Sequence, residues 1–324
     1  MRTAGLTTSG VLVWIIGAGG LFGSSLVRAR GTARRFVGAT VPWQDVTAAS
    51  AVLQADLERF AGLTNGDDWA VVWAAGAGVV GTTRAALDDE AELVRRFAAG
   101  LGEKRPNGRG ALLLSSSAGM YAGSTAPPFD ERTEPRPMND YGAVKLLQEH
   151  AVAQELAGSV PLVVGRISTL YGPGQNLDKA QGLVTRLCLQ AAMRRPIRVF
   201  VPMDTLRDYL FVDDAASMAL GLLTEVVALQ PADPQVRVIA AGQATSVAEL
   251  VALVQRVSRT RIGVVQAPMP ANTRHVIDLR LRTRHPAPPG VPPRTLLATG
   301  VRRVYDDILR QSASGALAER HGHG

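Results

Sequence analysis

Five stretches in the first half of the chain are predicted strands, and helical patterns separate them. The stretches 11–16, 69–75, 110–114 and 160–167 are nearly continuous apolar runs, as in strands buried on both faces of a sheet, and 35–41 is a further predicted strand. The intervening stretches 24–30, 48–61, 85–99 and 141–156 have the spacing of helices. Strands and helices in alternation predict an α/β fold with a doubly wound parallel sheet.

The alternation loosens beyond about residue 170. Helices are predicted at 181–195, 215–224 and 247–257, strands at 197–201, 236–241 and 262–267, and a Pro-rich linker at 286–293. An apolar run with polar ends, 207–214, precedes the helix at 215–224. The pattern predicts a first domain over 1–168 and a smaller C-terminal α/β domain over 169–324, with about 207–242 returning to the first.

Composition and charge narrow the class of partner. The 324 residues are 46% apolar and 19% charged, which suits a soluble protein, and the net charge of +7 comes from arginines scattered along the chain. Because aromatic residues make up only 5% and no basic run contains them, we expect an anionic small molecule or cofactor and no nucleic acid. The apolar run at 11–16 is too short for a membrane span, so we expect no targeting segment, no membrane association and a cytoplasmic location.

The metal-ligating residue types do not form a recognisable set. Cys188 is the single cysteine, and its apolar helical setting predicts a small buried hydrophobe. The five histidines are dispersed and none stands with carboxylates at metal-ligand spacing: His150, His275, His285, His321 and His323. We therefore predict no metal.

A glycine cluster follows the first predicted strand. Gly17, Gly20 and Gly23 are spaced three and three, with Leu21 and Phe22 between the last two, and a predicted helix comes next. Glycines in such a strand-to-helix turn allow a sharp bend and bring backbone N–H groups against a pyrophosphate. The strand 69–75 ends in small residues, Ala74, Ala75 and Gly76, against which a flat ring could lie. The alternative is a tight turn without a ligand.

The stretch 115–145 holds the candidate catalytic groups. Ser115, Ser116 and Ser117 follow a buried strand and belong at the carboxyl edge of the sheet, where open parallel sheets bind ligands. Tyr141 and Lys145 are four residues apart on a predicted helix and share one face. A phenol titrates near pH ~10, and a nearby ammonium favours the phenolate. Tyr141 is therefore a candidate general acid and base, although such a pair alone is more often a surface contact.

Taken together these motifs resemble the extended short-chain dehydrogenase/reductase superfamily, namely its NAD-dependent epimerase/dehydratase family of nucleotide-sugar enzymes. Besides the glycines, Ser117 and the Tyr141–Lys145 pair, the similarity includes the stretch 166–175 and the segment from Arg207 to Asp214, and it spans about residues 11–310. The resemblance implies a Rossmann fold with a smaller substrate-binding domain, a homodimer, and a nucleotide-diphosphate sugar or related small molecule as substrate.

By this resemblance Tyr141 is the acid and base, Lys145 assists it and holds the nicotinamide ribose, and Ser117 binds the reacting oxygen of the sugar. Three further substrate contacts are implied: Thr169, Asn176 and Arg207, of which the last would grip the diphosphate. The implied NAD contacts are Gly17, Gly20, Leu21, Phe22, Gly23, Thr40, Ala74, Ala75, Gly76, Ser115, Tyr141 and Lys145. The alternative for Arg207 is a structural ion pair with Asp208, Asp213 or Asp214.

Several positions depart from the family pattern. The second strand offers Thr40 or Val41 where an acidic residue usually binds the adenosine ribose, so NAD and NADP both remain open. The usual third strand with its Asp is missing, and the candidate Asp56 is in a predicted helix. Ala118 and Gly119 follow Ser117 in place of the Asp-Glu pair of dehydratases, so sugar 4,6-dehydration is not expected. The Cys and His of 3,5-epimerising reductases are also missing from this loop.

Three functions are consistent with these residues. The first is a nucleotide-sugar 4-epimerase that keeps NAD bound and returns the hydride to the other face of the sugar. The second is an NAD(P)H-dependent ketoreductase of a nucleotide-linked deoxysugar or a secondary metabolite. The third is a non-catalytic nucleotide-binding sensor or scaffold, against which Ser117, Tyr141 and Lys145 argue.

Overall fold

The computed structural model describes residues 10–76, 78, 81–177, 182–261, 263–267 and 276–313. Its strands are β1 Leu12–Ile16, β2 Arg34–Phe36, β3 Trp69–Trp73, β4 Gly110–Ser117, β5 Leu162–Ile167, β6 Thr169–Tyr171, β7 Ile197–Val199, β8 Leu206–Phe211, β9 Gln235–Ile239, β10 Ala244–Ser246, β11 Val264–Gln266 and β12 Asp278–Leu279. Its helices are α1 Leu21–Ala29, α2 Val46–Thr64, α3 Arg84–Glu103, α4 Asp140–Glu155, α5 Leu183–Ala192, α6 Val212–Leu229, α7 Val247–Ser258 and α8 Leu297–Ala313.

Six parallel strands form the large sheet, in the order β2-β1-β3-β4-β5-β9. The predicted α/β fold is confirmed. The strand order reverses between β1 and β3, and such a switch point opens a crevice at the carboxyl edge of a doubly wound sheet. β2 is the edge strand, so within the described residues no further strand lies outside it.

The large sheet is buried on both faces because its strands carry apolar residues in both directions. One face packs against α1 and α6 through residues such as Leu26 and Leu223. The opposite face packs against α2, α3 and α4 and contains an aromatic cluster: Trp14, Phe36, Phe60, Trp69, Trp73 and Phe97. A core of this kind fixes the positions of α3 and α4, which carry candidate site residues.

A third core lies under α5, α7 and α8, around β8. β8 pairs with β10, β12 and β6, and β7 pairs separately with β11. α6, which follows β8, packs on the large sheet, and β9 is that sheet's last strand. The division at residue 168 stays a prediction.

Several predicted boundaries were wrong. The second strand ends at Phe36 and not at 41, because the chain at Gly38 passes directly against the Asp56 carboxylate of α2. The helix predicted at 215–224 extends over 212–229, and α8 and the short strands β6, β8, β10 and β12 were not predicted. Pro288, in the predicted linker, lies against Gly221 of α6, so this segment covers a helix. Part of the strand predicted at 262–267 and of the helix predicted at 181–195 lies outside the described residues.

Candidate active site

A cleft of about 710 Å³ opens at the carboxyl edge of the large sheet. It extends from the turn after β1, across the ends of β3, β4 and β5, to the smaller sheets. Its lining includes Gly19, Gly20, Leu21, Phe22, Ala74, Ala75, Gly76, Gly78, Ser115, Ser116, Ser117, Ala118, Gly119, Tyr141, Lys145, Ile167, Ser168, Thr169, Leu170, Gly174, Gln175, Asn176, Gly182, Asp208, Leu279 and Leu281. Most of the residues predicted for a cofactor or a substrate are therefore brought together in one place.

The glycine turn divides into structural and cleft-lining positions. Gly17 has φ +86, and a Cβ there would lie 2.5 Å from the backbone nitrogen of Ala75, so only glycine lets β1 and β3 end side by side. A Cβ at Gly23 would meet the Gly17 carbonyl oxygen at 2.1 Å. Gly20 lines the cleft and is the N-cap of α1 without a side-chain hydrogen bond, so the first N–H groups of this helix are available to an anion.

The loop after β2, where the resemblance implies contacts to the adenosine ribose, is built differently from that expectation. Thr40 is exposed after β2 and is not among the residues that line the cleft. Asp56 does not reach solvent: its carboxylate accepts a hydrogen bond from the Ala39 backbone N–H at 2.7 Å and pairs with Arg59 at 2.6 Å. Asp56 therefore fixes the loop after β2, and the residues that line the cleft include no carboxylate from this loop.

A side-chain cap fixes the start of α4 beside the cleft. The Asn139 side chain accepts the Gly142 N–H at 2.9 Å and caps α4, which places Tyr141 in its first turn. The Lys145 Nζ atom lies 5.9 Å from the centre of the Tyr141 ring, and the Lys145 side chain is buried. Both side chains line the same cleft.

The three serines at the end of β4 have different roles. The Ser115 hydroxyl donates to the Trp73 carbonyl oxygen at 2.6 Å and so joins β4 to β3. The Ser117 Oγ accepts the Gly119 N–H at 3.1 Å and caps the short 3₁₀ turn Ala118–Tyr121. Because a hydroxyl has one proton and that hydrogen bond uses only a lone pair, Ser117 keeps its proton for a ligand oxygen.

Ser116 belongs to a buried network behind the cleft. Its hydroxyl donates to Glu149 at 2.5 Å, and Glu149 pairs with Arg166 at 2.7 Å with both side chains almost fully buried. Arg166 also donates to the Tyr121 hydroxyl at 2.8 Å and lies over its ring. Burial raises the pKa of Tyr121, and the positive charge of Arg166 opposes that rise only in part. The network holds β4, α4 and β5 in register beneath the serine loop.

Sequence reasoning missed the partner of Lys145. The Lys145 Nζ atom donates to Glu90 Oε1 at 2.9 Å and to Gln148 Oε1 at 3.0 Å. Burial favours a higher pKa for Glu90, but Lys145, the Gly78 N–H and Gln148 together hold it below its ordinary value. Glu90 is one of four acidic residues in the run 88–92 and lies 55 positions before Lys145, so no signal in the sequence singled it out.

In the substrate half, Thr169 and Asn176 line the cleft but Arg207 does not. The Arg207 guanidinium donates to the carbonyl oxygens of Leu206 and Val276 at 2.8 and 2.7 Å, and burial lowers its pKa. No carboxylate in the described part of the chain forms a salt bridge with it, so the alternative of an ion pair with one of three aspartates was wrong.

Those three aspartates hold other elements in place. Asp208 lines the cleft and accepts hydrogen bonds from the backbone N–H groups of Ala241, Gly242 and Gln243, while burial raises its pKa. Asp213 accepts hydrogen bonds from Ser25 and Arg28 of α1, and Asp214 accepts them from Thr295. The sequence did not single out Asp208 as a residue of the cleft.

Two negative findings apply to the described residues. None of their helices is long and apolar enough to cross a membrane. They also contain no group of three or more His, Cys, Asp or Glu residues placed to hold a metal ion. Cys188 is fully buried, as its apolar setting predicted, and burial raises the pKa of its thiol to about 12.

Comparison with known sequences identifies related proteins. A family model described as the NAD dependent epimerase/dehydratase family matches residues 13–236. A dTDP-L-rhamnose 4-epimerase of Burkholderia thailandensis is 34% identical over 152 residues, which cover 46% of this chain and 41% of that protein. A dTDP-4-dehydro-6-deoxyglucose reductase of Escherichia coli is 32% identical over 112 residues, 33% of this chain and 34% of that protein. These alignments span well under half the length of the curated relatives.

Comparison with solved structures supports the fold. MoeE5 in complex with UDP-glucuronic acid and NAD superimposes with a TM-score of 0.71 at 22% identity. The superposition covers 93% of this chain and 99% of that one. At this level of identity the likeness shows the architecture alone, which extends over almost the whole chain.

Proposed function

Because the chain belongs to the NAD dependent epimerase/dehydratase family, we propose that it is a nucleotide-sugar 4-epimerase. The observation that carries the proposal is the meeting of Ser117, Tyr141 and Lys145 in one cleft with the glycine turn of α1. The relative from Burkholderia thailandensis is a dTDP-L-rhamnose 4-epimerase, which supports a nucleotide-diphosphate sugar as the substrate class.

The cleft suits a dinucleotide in two of its parts. The uncapped N-terminus of α1 beside Gly20 offers N–H groups to a pyrophosphate, and Gly76 keeps the backbone after β3 open toward Lys145. Gly19, Leu21 and Phe22 extend the pyrophosphate site. NAD, when bound, supplies the acceptor and donor of the hydride.

Two side chains of the protein, Ser117 and Tyr141, hold and transfer the proton of the reacting sugar hydroxyl. The Ser117 hydroxyl donates to the sugar oxygen at the reacting carbon. In its phenolate form Tyr141 takes the proton of that oxygen and so becomes the neutral phenol, which later returns the proton. Epimerisation requires that the oxidised sugar turn its other face before the hydride is returned, so both hydroxyls act twice in each turnover. Ala118 and Gly119 follow Ser117, so these positions offer no carboxylic acid to protonate a sugar hydroxyl that leaves as water. This supports epimerisation over dehydration.

A ketoreductase is the second candidate, and two observations favour it. One curated match belongs to a reductase of a dTDP-deoxysugar. The loop after β2 places no carboxylate in the cleft, so nothing there repels the 2′-phosphate of NADPH. The two functions use the same Ser117, Tyr141 and Lys145 and differ in whether the cofactor is consumed.

The first experiment releases and identifies the nucleotide that copurifies with the protein. Stoichiometric NAD, followed by interconversion of UDP- or dTDP-hexoses without added cofactor, supports the epimerase. An empty protein that binds NADPH and oxidises it with a 4-keto sugar supports the reductase. If the protein binds neither dinucleotide, both the epimerase and the reductase are refuted, and the non-catalytic scaffold is the function that remains.

Tyr141→Phe tests the catalytic assignment directly. We expect a loss of turnover of about 10²- to 10⁴-fold with cofactor binding and unfolding temperature unchanged, because only the proton transfer is removed. Tyr305→Phe on α8 is the matched control, since Tyr305 is not among the residues that line the cleft. Turnover that survives in Tyr141→Phe contradicts the proposal.

A further inference from the structure

The Lys145 ammonium is half of a buried ion pair that the family resemblance does not include. Its partner Glu90 comes from α3, and the two side chains are 7% and 15% exposed. Gln148 closes the group: it accepts a hydrogen bond from Lys145 at 3.0 Å and donates to Glu90 Oε1 at 3.3 Å. Burial makes this pair strongly coupled, since little water screens the two charges.

The same carboxylate also contacts the floor of the cleft. Glu90 Oε2 accepts the Gly78 N–H at 3.1 Å. A Cβ at Gly76 would lie 3.0 Å from Glu90 Oε1 and 3.5 Å from Lys145 Nζ. Glu90 therefore joins the segment after β3, which lines the cofactor cleft, to the helix that carries the catalytic residues.

Tyr141 is within reach of the Glu90 charge. A Cβ at Gly78 would lie 3.2 Å from Glu90 Oε2 and 3.8 Å from Tyr141 Cδ2, so the carboxylate and the ring both lie next to this glycine. The phenol thus has two charged neighbours of opposite sign.

Other groups around this site are neutral or already paired. Ser115 and Ser117 of β4 line the cleft and carry no charge. Asp140, in the same turn as Tyr141, is exposed and lies 3.9 Å from Arg84 of α3. Glu149 of α4 and Arg166 of β5 neutralise one another behind the sheet edge. Lys145 lines this part of the cleft, and Glu90 contacts it through Lys145 and the Gly78 backbone.

From this geometry we propose that Glu90 is a positioning residue that holds the Lys145 ammonium, offsets its charge and acts through it on the proton exchange of Tyr141. An ammonium has three N–H donors, and Glu90 and Gln148 take two of them. One donor remains for a ribose hydroxyl, so Glu90 also sets the direction from which Lys145 can hold the cofactor. The inference rests on the proposed function of Tyr141.

The test is Glu90→Gln, which keeps the shape of the side chain and removes its charge. At an effective dielectric constant of about 20, an elementary charge ~10 Å away shifts a titration by about one pH unit. We expect the phenolate absorbance of Tyr141 to appear at a pH lower by that amount, and the rising limb of the rate against pH to move in the same direction. Glu92→Gln is the matched control on α3, because Glu92 pairs with Arg95 and Arg96.

Ultraviolet difference titration makes the test independent of substrate and cofactor. The Tyr141 signal is the difference between each variant and the same variant with Tyr141→Phe. Other tyrosines do not obscure it: burial raises the pKa of Tyr209 to about 12 and also raises those of Tyr121 and Tyr171. The subtraction removes the contribution of Tyr305.

A second pair of variants keeps the test decisive if Glu90→Gln alone does not fold. In Lys145→Met the phenolate absorbance of Tyr141 should appear at a higher pH than in the unmodified protein. Adding Glu90→Gln to Lys145→Met should return that absorbance to a lower pH. A titration that does not move when Glu90 is neutralised in either background, or that moves to higher pH, overturns the inference. If Tyr141→Phe retains turnover, the proposed function fails while the titration still decides whether Glu90 acts on Tyr141.

Discussion

The buried pair of Glu149 and Arg166 provides a quantitative test of how the serine loop is supported. The two side chains are 5% and 8% exposed, and Glu149 accepts hydrogen bonds from Arg166 and from Ser116. Glu149→Met keeps a side chain of similar length but leaves the Arg166 charge buried without a carboxylate. Removing one partner of a buried pair in this way costs about 3–5 kcal/mol of the free energy of unfolding.

The loss can be expressed as a change in unfolding temperature. An unfolding entropy of about 2.1 cal/mol/K per residue over 324 residues makes 1 kcal/mol equivalent to about 1.5 °C. Glu149→Met should therefore unfold about 4–7 °C below the unmodified protein, and its urea midpoint should fall at an unchanged slope. Both values can be read from tryptophan fluorescence, because the buried Trp73 lies on the strand next to β4.

Two further variants separate the ion pair from its surroundings. Glu149→Met combined with Arg166→Met removes both charges, and we expect most of the lost stability to return because no unpaired charge stays buried. Glu155→Met is the control on the same helix, since Glu155 forms a partly exposed pair with Arg95 that is worth at most about 1 kcal/mol. The reasoning is refuted if Glu149→Met loses no more stability than Glu155→Met, or if the double variant is less stable than either single one.

The remaining predictions concern glycines and the cysteine. Gly17→Ala should abolish cofactor binding and lower the unfolding temperature, because its Cβ would collide with the Ala75 backbone at 2.5 Å; a thermal-shift titration with NAD that matches the unmodified protein would contradict this. Gly62→Ala, on an open part of α2 where a Cβ meets nothing within 4 Å, should instead raise the free energy of unfolding by about 0.5–1 kcal/mol. The Cys188 thiol should react with a disulfide reagent at pH 8 at least about 100-fold more slowly than after unfolding in urea, because it is buried and its pKa is raised to about 12; equal rates would contradict its burial.

The features that the sequence predicted correctly depend on residues close together along the chain. The strands β1, β3, β4 and β5 are recognisable because each is a continuous apolar run that must be buried on both faces. The turn after β1 follows from glycines three residues apart. Tyr141 and Lys145 share a face because the helical repeat brings residues four apart together, whatever the rest of the fold does.

Only the tertiary structure decided which distant groups meet. Glu90 reaches Lys145 because the apolar faces of α3 and α4 pack on the same side of the large sheet. The Arg207 guanidinium bonds to the carbonyl oxygens of Leu206 and Val276 and not to the aspartates near it in sequence, because β8 and the chain at 276 run side by side. Thr40 is exposed in the loop after β2, and Asp56 of α2 is buried against that loop, because β2 ends early at the edge of the sheet. Periodicity reports which face of an element is buried, and the choice of neighbour is made by packing and by the need of each buried charge for a partner.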